Sequence, residues 1–137
     1  AMVIDEALQL HKAFLQESLG ILRYLGGFEI AALTAAYIRA AQQQLPVMVD
    51  GFICSVAALL AVRINPCCAA WFFYGHRSEE KGHKIVLDAL SAEPILDLHM
   101  RLGEASGALT AVPILQMACR LHNEMATFAQ ANITTTG

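Results

Sequence analysis

Apolar residues recur at helical spacing through the first third of the chain. Ala7, Leu8, Phe14 and Leu15 place one apolar face on a helix over residues 4–17. A second short apolar helix is expected over residues 18–25. Gly26-Gly27 should stop it, since glycine accepts the left-handed conformation that many helix ends use. Residues 28–44 form a longer helix, apolar nearly all round until Gln42-Gln43-Gln44, and so expected to be buried.

The pattern then changes. Residues 45–51 are a short apolar run bounded by Pro46 and Gly51, the mark of a buried parallel strand. A helix follows over residues 53–64 and is broken at Asn65-Pro66. Residues 70–74, with Trp71, Phe72 and Phe73, read as a second strand. Residues 79–90 read as a helix, with Ser78 placed to cap it and two glutamates in its first turn. Residues 94–100 give a third strand and 102–107 a turn. Helix resumes at Ala108, with a kink expected at Pro113. Residues 121–130 are expected to close the chain as a helix, leaving a frayed tail over 133–137. Strands alternating with helices imply right-handed crossovers. The expected fold is α/β: a helix-rich, partial parallel-sheet, Rossmann-like domain of three short strands with flanking helices.

Composition narrows the function classes. The chain has 137 residues, the size of one domain, and 56% are hydrophobic against 15% charged, which excludes a disordered chain. Nine basic and twelve acidic residues leave a net charge of −3 with no basic cluster, so nucleic acid is not an expected partner. Mean hydropathy is +0.48. Yet the longest apolar stretch, 52–62, has eleven residues against the roughly 20 that a spanning helix needs, so no membrane association is expected. No charged segment followed by an apolar one opens the chain, so no signal peptide is expected. Cys54, Cys67, Cys68 and Cys119 form no C-x-x-C pair and are read as buried small hydrophobes in a reducing cytosol.

Ligands of parallel sheets gather beyond the carboxyl ends of the strands. Those ends are Asp50-Gly51-Phe52, Gly75 to Glu80, and Arg101 to Gly107, and the polar residues and glycines concentrate there. Glu104 lies between two glycines at a strand-to-helix turn. Sheltered by apolar neighbours, it would serve as a general base; alternatively it is a first-turn charge stabilised by the helix dipole. The segment 103–107 can also be read as a phosphate cradle, although the Glu104 charge would repel the phosphate. His76 and His83 lack the tighter spacing and third ligand of a metal site, and are read as ordering the loop and bonding backbone; no metal and no cofactor are expected. Ser78 lacks a G-x-S-x-G context and is read as a helix cap. Asp50 either contacts a ligand or caps the helix that starts at Phe52.

Five segments, in order and over nearly the whole chain, carry a family resemblance. They are Leu25-Gly26-Gly27-Phe28-Glu29-Ile30-Ala31-Ala32, residues 45–53, His76-Arg77-Ser78-Glu79-Glu80-Lys81-Gly82-His83, Arg101-Leu102-Gly103-Glu104-Ala105-Ser106-Gly107-Ala108, and Asn123-Glu124-Met125-Ala126-Thr127-Phe128. The chain thereby resembles the C-terminal portion of the nicotinate-nucleotide:dimethylbenzimidazole phosphoribosyltransferases, cytoplasmic homodimeric enzymes of cobalamin lower-ligand synthesis. The resemblance implies that Glu104 is the catalytic base, that Ser78, Leu102 and Gly103 line the substrate site, and that the substrates are nicotinate mononucleotide and 5,6-dimethylbenzimidazole. Asp50 is a substrate contact by position only. The resemblance also implies a division into residues 1–115, part of a large α/β domain, and 116–137, part of a small helical domain. Family chains are more than twice as long, so this chain alone is expected to be inactive. The alternative is a non-catalytic base-binding or interaction module. One departure stands out: the family motif has glycine where this chain has Ala105, which matters only if that position needs a positive φ.

Overall fold

The computed structural model describes residues 2–131. Helices α1 (Met2–Leu10), α2 (Ser18–Leu25) and α3 (Phe28–Gln42) lead into strand β1 (Val47–Val49), α4 (Phe52–Ile64), β2 (Phe72–Tyr74), α5 (His83–Leu90) and α6 (Ser106–Glu124). β1 and β2 are parallel, with Val47 opposite Phe72 and Val49 opposite Tyr74, and α4 is the crossover between them. The expected α/β class with a small parallel sheet is what forms.

The third strand is reduced to one rung. His76 and Leu96 form a single parallel bridge, and the Ile95 and Leu96 amides donate to the Tyr74 and Gly75 carbonyls at 2.8 and 3.1 Å. Pairing cannot extend, because Pro94 lacks an amide and His99 has φ +53, outside the β region. Beyond the bridge the Glu79 amide donates to the Met100 carbonyl at 3.1 Å, and side chains add to the attachment: Arg77 pairs with Asp97 (2.9 Å), Glu79 with His99 (2.7 Å) and Glu80 with Arg101 (2.7 Å).

The core lies between α3, α4 and the sheet. Ala57, Ala58 and Ala61 on α4 are buried against Tyr37 and Ala41 on α3, and Val49, Phe72, Tyr74 and Leu87 complete the cluster. Small residues on α4 let α3 approach closely. The buried Thr34 hydroxyl donates to the Ile30 carbonyl at 2.8 Å and lies 3.3 Å from the Ala57 carbonyl across the interface. Of the four cysteines, all free, only Cys68 is fully buried; Cys67 and Cys119 are exposed, against expectation.

Other boundaries move for local reasons. The first helix ends at Leu10, not residue 17; a 3-10 turn at Lys12–Phe14 follows, where Phe14 and His11 stack on Tyr24 of α2 at 4.6 and 4.9 Å. Gly26 and Gly27 are extended rather than left-handed. A side chain at Gly26 would meet the Leu22 carbonyl oxygen at 2.8 Å, so close approach explains this glycine. Pro113 sits inside α6 without ending it. The closing helix expected over 121–130 is instead the end of α6, followed by an extended Met125 and one turn in which Thr127 and Gln130 cap each other. The tail expected over 133–137 lies outside the described residues.

Large apolar side chains stay on the surface: Phe28 is 96% exposed and Leu102 81%, and Ile114, Met117 and Leu121 recur along one side of α6. Such a surface is expected to drive association of the isolated chain. Light scattering at high concentration should reveal oligomers; a clean monomer would contradict this.

Candidate functional site

Beyond the carboxyl ends of the strands lies a cleft of about 670 Å³. Asp50 to Cys54 form one side, from the β1–α4 turn. His76, Ser78 and Glu80 come from the β2–α5 loop, and Arg101 to Ala105 from the turn before α6. Asp50, Ser78, Leu102, Gly103 and Glu104, all singled out from sequence, therefore line one cleft. Phe52 and Cys54 join them because the first turn of α4 faces the same space. The only sequence signal for these two is their position just after the strand end.

The loop from β2 to α5 is built around a buried histidine. His83 is 0% exposed; its Nδ1 accepts the Ser78 amide at 2.9 Å, so Nε2 carries the proton and donates to the Ser55 hydroxyl at 3.0 Å. Burial, and then the neighbouring His76, lower its pKa below the usual histidine value. Because His83 captures the Ser78 amide, and Glu79 donates its amide to Met100 at 3.1 Å, α5 starts at His83 rather than at Glu79. Ser78 caps no helix. Its hydroxyl accepts the Glu80 amide at 3.3 Å and so shapes the loop.

The turn before α6 is conformationally unusual. Gly103, Glu104 and Ala105 all have positive φ, at +104, +54 and +62. Ala105 thus occupies a left-handed position that favours glycine. The Glu104 side chain is exposed, not sheltered by apolar neighbours as expected, in the left-handed turn that borders the cleft.

Helix α6 has no cap of its own; its N-cap residue is Ala105. Asp50 supplies the bond instead, its Oδ1 accepting the Ala108 amide at 2.8 Å from a position 58 residues earlier. Asp50 therefore caps α6 and not the helix starting at Phe52. Nothing local in the sequence announces this. Two glycines permit it: a Cβ on Gly75 would lie 2.9 Å from Ala108 Cα, and one on Gly107 would collide with the His76 ring. His76, 2% exposed, is wedged there with its Nδ1 lacking a partner among the described residues, as is the buried Ser106 hydroxyl. Outside the cleft, Glu79, Asp97 and His99 cluster on the surface, where they are engaged in the charge pairs already described.

An α/β chain with polar groups converging beyond its strand ends is of the class that binds small molecules there. Comparison with known proteins narrows the class. A family model described as phosphoribosyltransferase matches residues 1–133, and the chain belongs to that family. The nicotinate-nucleotide–dimethylbenzimidazole phosphoribosyltransferase of Azotobacter vinelandii is 63% identical over 135 residues, 98% of this chain and 38% of that protein. The enzyme of the same name from Ectopseudomonas mendocina is 61% identical over 133 residues. A crystal structure of the Thermus thermophilus enzyme superposes with a TM-score of 0.82 at 38% identity, covering 88% of this chain and 36% of that one. The chain thus spans well under half the length of these relatives. No described helix is long and apolar enough to cross a membrane.

Two measurements probe the site's construction. His83 has a lowered folded pKa, so the unfolded chain binds the extra proton first. The stability this contributes is complete above the unfolded value of about 6.5 and is lost as pH falls below it, at up to about 1.4 kcal/mol per pH unit. His99, raised by its hydrogen bond to Glu79, acts in the opposite sense. Melting temperature should therefore fall less steeply below pH 6.5 (about the ordinary histidine value) in His83→Gln than in wild type; equal slopes would remove His83 from the account. At Ala105, substitution by glycine relieves the left-handed strain and should be neutral or stabilising by up to about 1 kcal/mol. Ala118→Gly on exposed helix should cost about 1 kcal/mol. Equal losses at the two sites in denaturant titrations would refute the argument for Ala105.

Proposed function

We propose that this chain forms part of an enzyme that moves the phosphoribosyl group of nicotinate mononucleotide onto 5,6-dimethylbenzimidazole, giving α-ribazole 5′-phosphate and nicotinate. The supporting observation is the convergence of Glu104, Ser78 and Leu102, from separate segments, on one cleft in a chain of this family. In this reading the benzimidazole nitrogen attacks the anomeric carbon. The bond from that carbon to the nicotinate nitrogen breaks, and its electron pair returns to the pyridine ring. Glu104 takes the N–H proton. Leu102, exposed beside it, offers an apolar contact for the flat base, with Ser78 and Gly103 on the same wall.

The exposure of Glu104 fits a site whose remaining wall comes from elsewhere in a longer chain or from a second subunit. The apolar stripe on α6 fits the same arrangement: residues 1–115 belonging to a large α/β domain, 116–137 to a small helical one, in a cytoplasmic homodimer. Helix α6 runs unbroken through residue 115, so it would join the two. On this reading the isolated chain is inactive.

In the full-length enzyme, Glu104→Gln keeps the shape and removes the basicity. It should lower turnover by about 10²–10⁴ while leaving nicotinate mononucleotide binding nearly unchanged. Turnover and melting temperature measured on the same variant separate the alternatives. Near-normal turnover with reduced stability would make Glu104 only a helix-end charge, and turnover by the 137-residue chain alone would overturn its assignment as a part. Base binding without turnover in the full-length protein would favour a non-catalytic binding module.

A further inference from the structure

We propose that Asp50 is a positioning residue, whose carboxylate fixes the start of α6 and thereby the turn that presents Glu104 to the cleft. The inference rests on the catalytic reading of Glu104 but is argued from different atoms. Glu104 sits in a run of three positive-φ residues with no capping side chain of its own. Within the turn, the Ser106 amide donates to the Gly103 carbonyl at 3.0 Å. Among the described residues, the side-chain bond that ties the start of the helix to the rest of the protein is the one the Ala108 amide donates to Asp50 Oδ1, at 2.8 Å.

The surroundings make that bond directional. Asp50 follows the buried end of β1, whose Val49 is fully buried, so the carboxylate starts from a rigid base. Gly75 and Gly107 bring α6 against the end of β2, and the His76 ring fills the space between Gly107 and Gly51, whose own Cβ would lie 3.3 Å from it. A carboxylate is favoured at a helix N-terminus by the dipole, and its bond to an amide is charge-assisted. Without it the turn keeps its local bond but loses its anchor to β1. Glu104, four residues before Ala108, would then sample positions away from the reacting nitrogen.

Three versions of Asp50 separate positioning from direct contact. Asp50→Ala removes the acceptor, whereas Asp50→Asn keeps an oxygen in place without the charge. In the 137-residue chain, amide exchange should quicken about fivefold or more at Ala108 in the alanine variant and stay near wild type in the asparagine variant. In the full-length enzyme, the alanine variant should lose up to about 10²-fold in kcat with little change in KM for nicotinate mononucleotide, and asparagine should restore most of it. A raised KM that asparagine does not rescue would make Asp50 a substrate contact and overturn the proposal. So would unchanged exchange at Ala108. If the alanine variant does not fold, the asparagine variant decides alone: near-normal protection and kcat support positioning, and loss of either refutes it. An inactive wild-type enzyme would refute the transferase reading while leaving the exchange result at Ala108 to stand or fall separately.

Discussion

The close approach of α6 to the end of β2 is the constraint on which the site depends. It is a contact between backbones at Gly75, and at Gly107 the missing side chain leaves room for the His76 ring. Once the helix is seated there, the Asp50 carboxylate is within reach of its amides, the His76 ring is trapped beside it, and the preceding residues must double back through left-handed conformations. A methyl group at Gly75 would meet the backbone of α6, and one at Gly107 would displace the His76 ring. The cleft is therefore set by how near two elements can come, and its polar residues follow from that distance.

The buried histidines play different parts in the same frame. His83 is fully satisfied, with one nitrogen accepting a loop amide and the other donating to Ser55. It holds the β2–α5 loop by replacing what would have been the first turn of a longer helix. His76 meets the sheet through its backbone and fills space with its ring, one nitrogen of which has no partner among the described residues. Burying an unpaired polar atom costs stability. Wedged against Gly107, this ring supplies shape more than hydrogen bonding.

Much of this was legible in the chain before the structure. Residues 18–25 are helix as read, β1 and β2 fall inside the segments read as strands, and the residues at their ends line one cleft. These features are local: periodicity, breakers and strand ends are written in adjacent residues. The failures have two sources: side-chain bonds that override the local pattern, and backbone conformations that it does not announce. The helix read from Glu79 begins at His83 because a side chain inside the helix captures the loop's amide. The strand read over 94–100 shrinks to one rung because Pro94 and a left-handed His99 cannot pair. Asp50 meets Ala108 across 58 residues, a distance at which no motif operates. The Ala105 departure was visible, and its meaning depended on a φ that only the fold reveals.

The two walls of the cleft are fastened in different ways. On the α6 side the tie is one half-sheltered carboxylate to one amide. Behind the β2–α5 loop, Arg77–Asp97, Glu79–His99 and Glu80–Arg101 form a ladder of partly exposed charge pairs that joins the loop to residues 97–101. Exposed pairs of this kind are weakened by dissolved ions, whose screening length is about 8 Å at physiological ionic strength, whereas a short bond to a backbone amide is much less sensitive. Added salt therefore weakens the ladder, while the Arg77 amide still donates to the Leu96 carbonyl (2.8 Å) and the Glu79 amide to the Met100 carbonyl (3.1 Å). The charge pairs thus adjust how firmly these segments are held, and the backbone bonds fix where they lie.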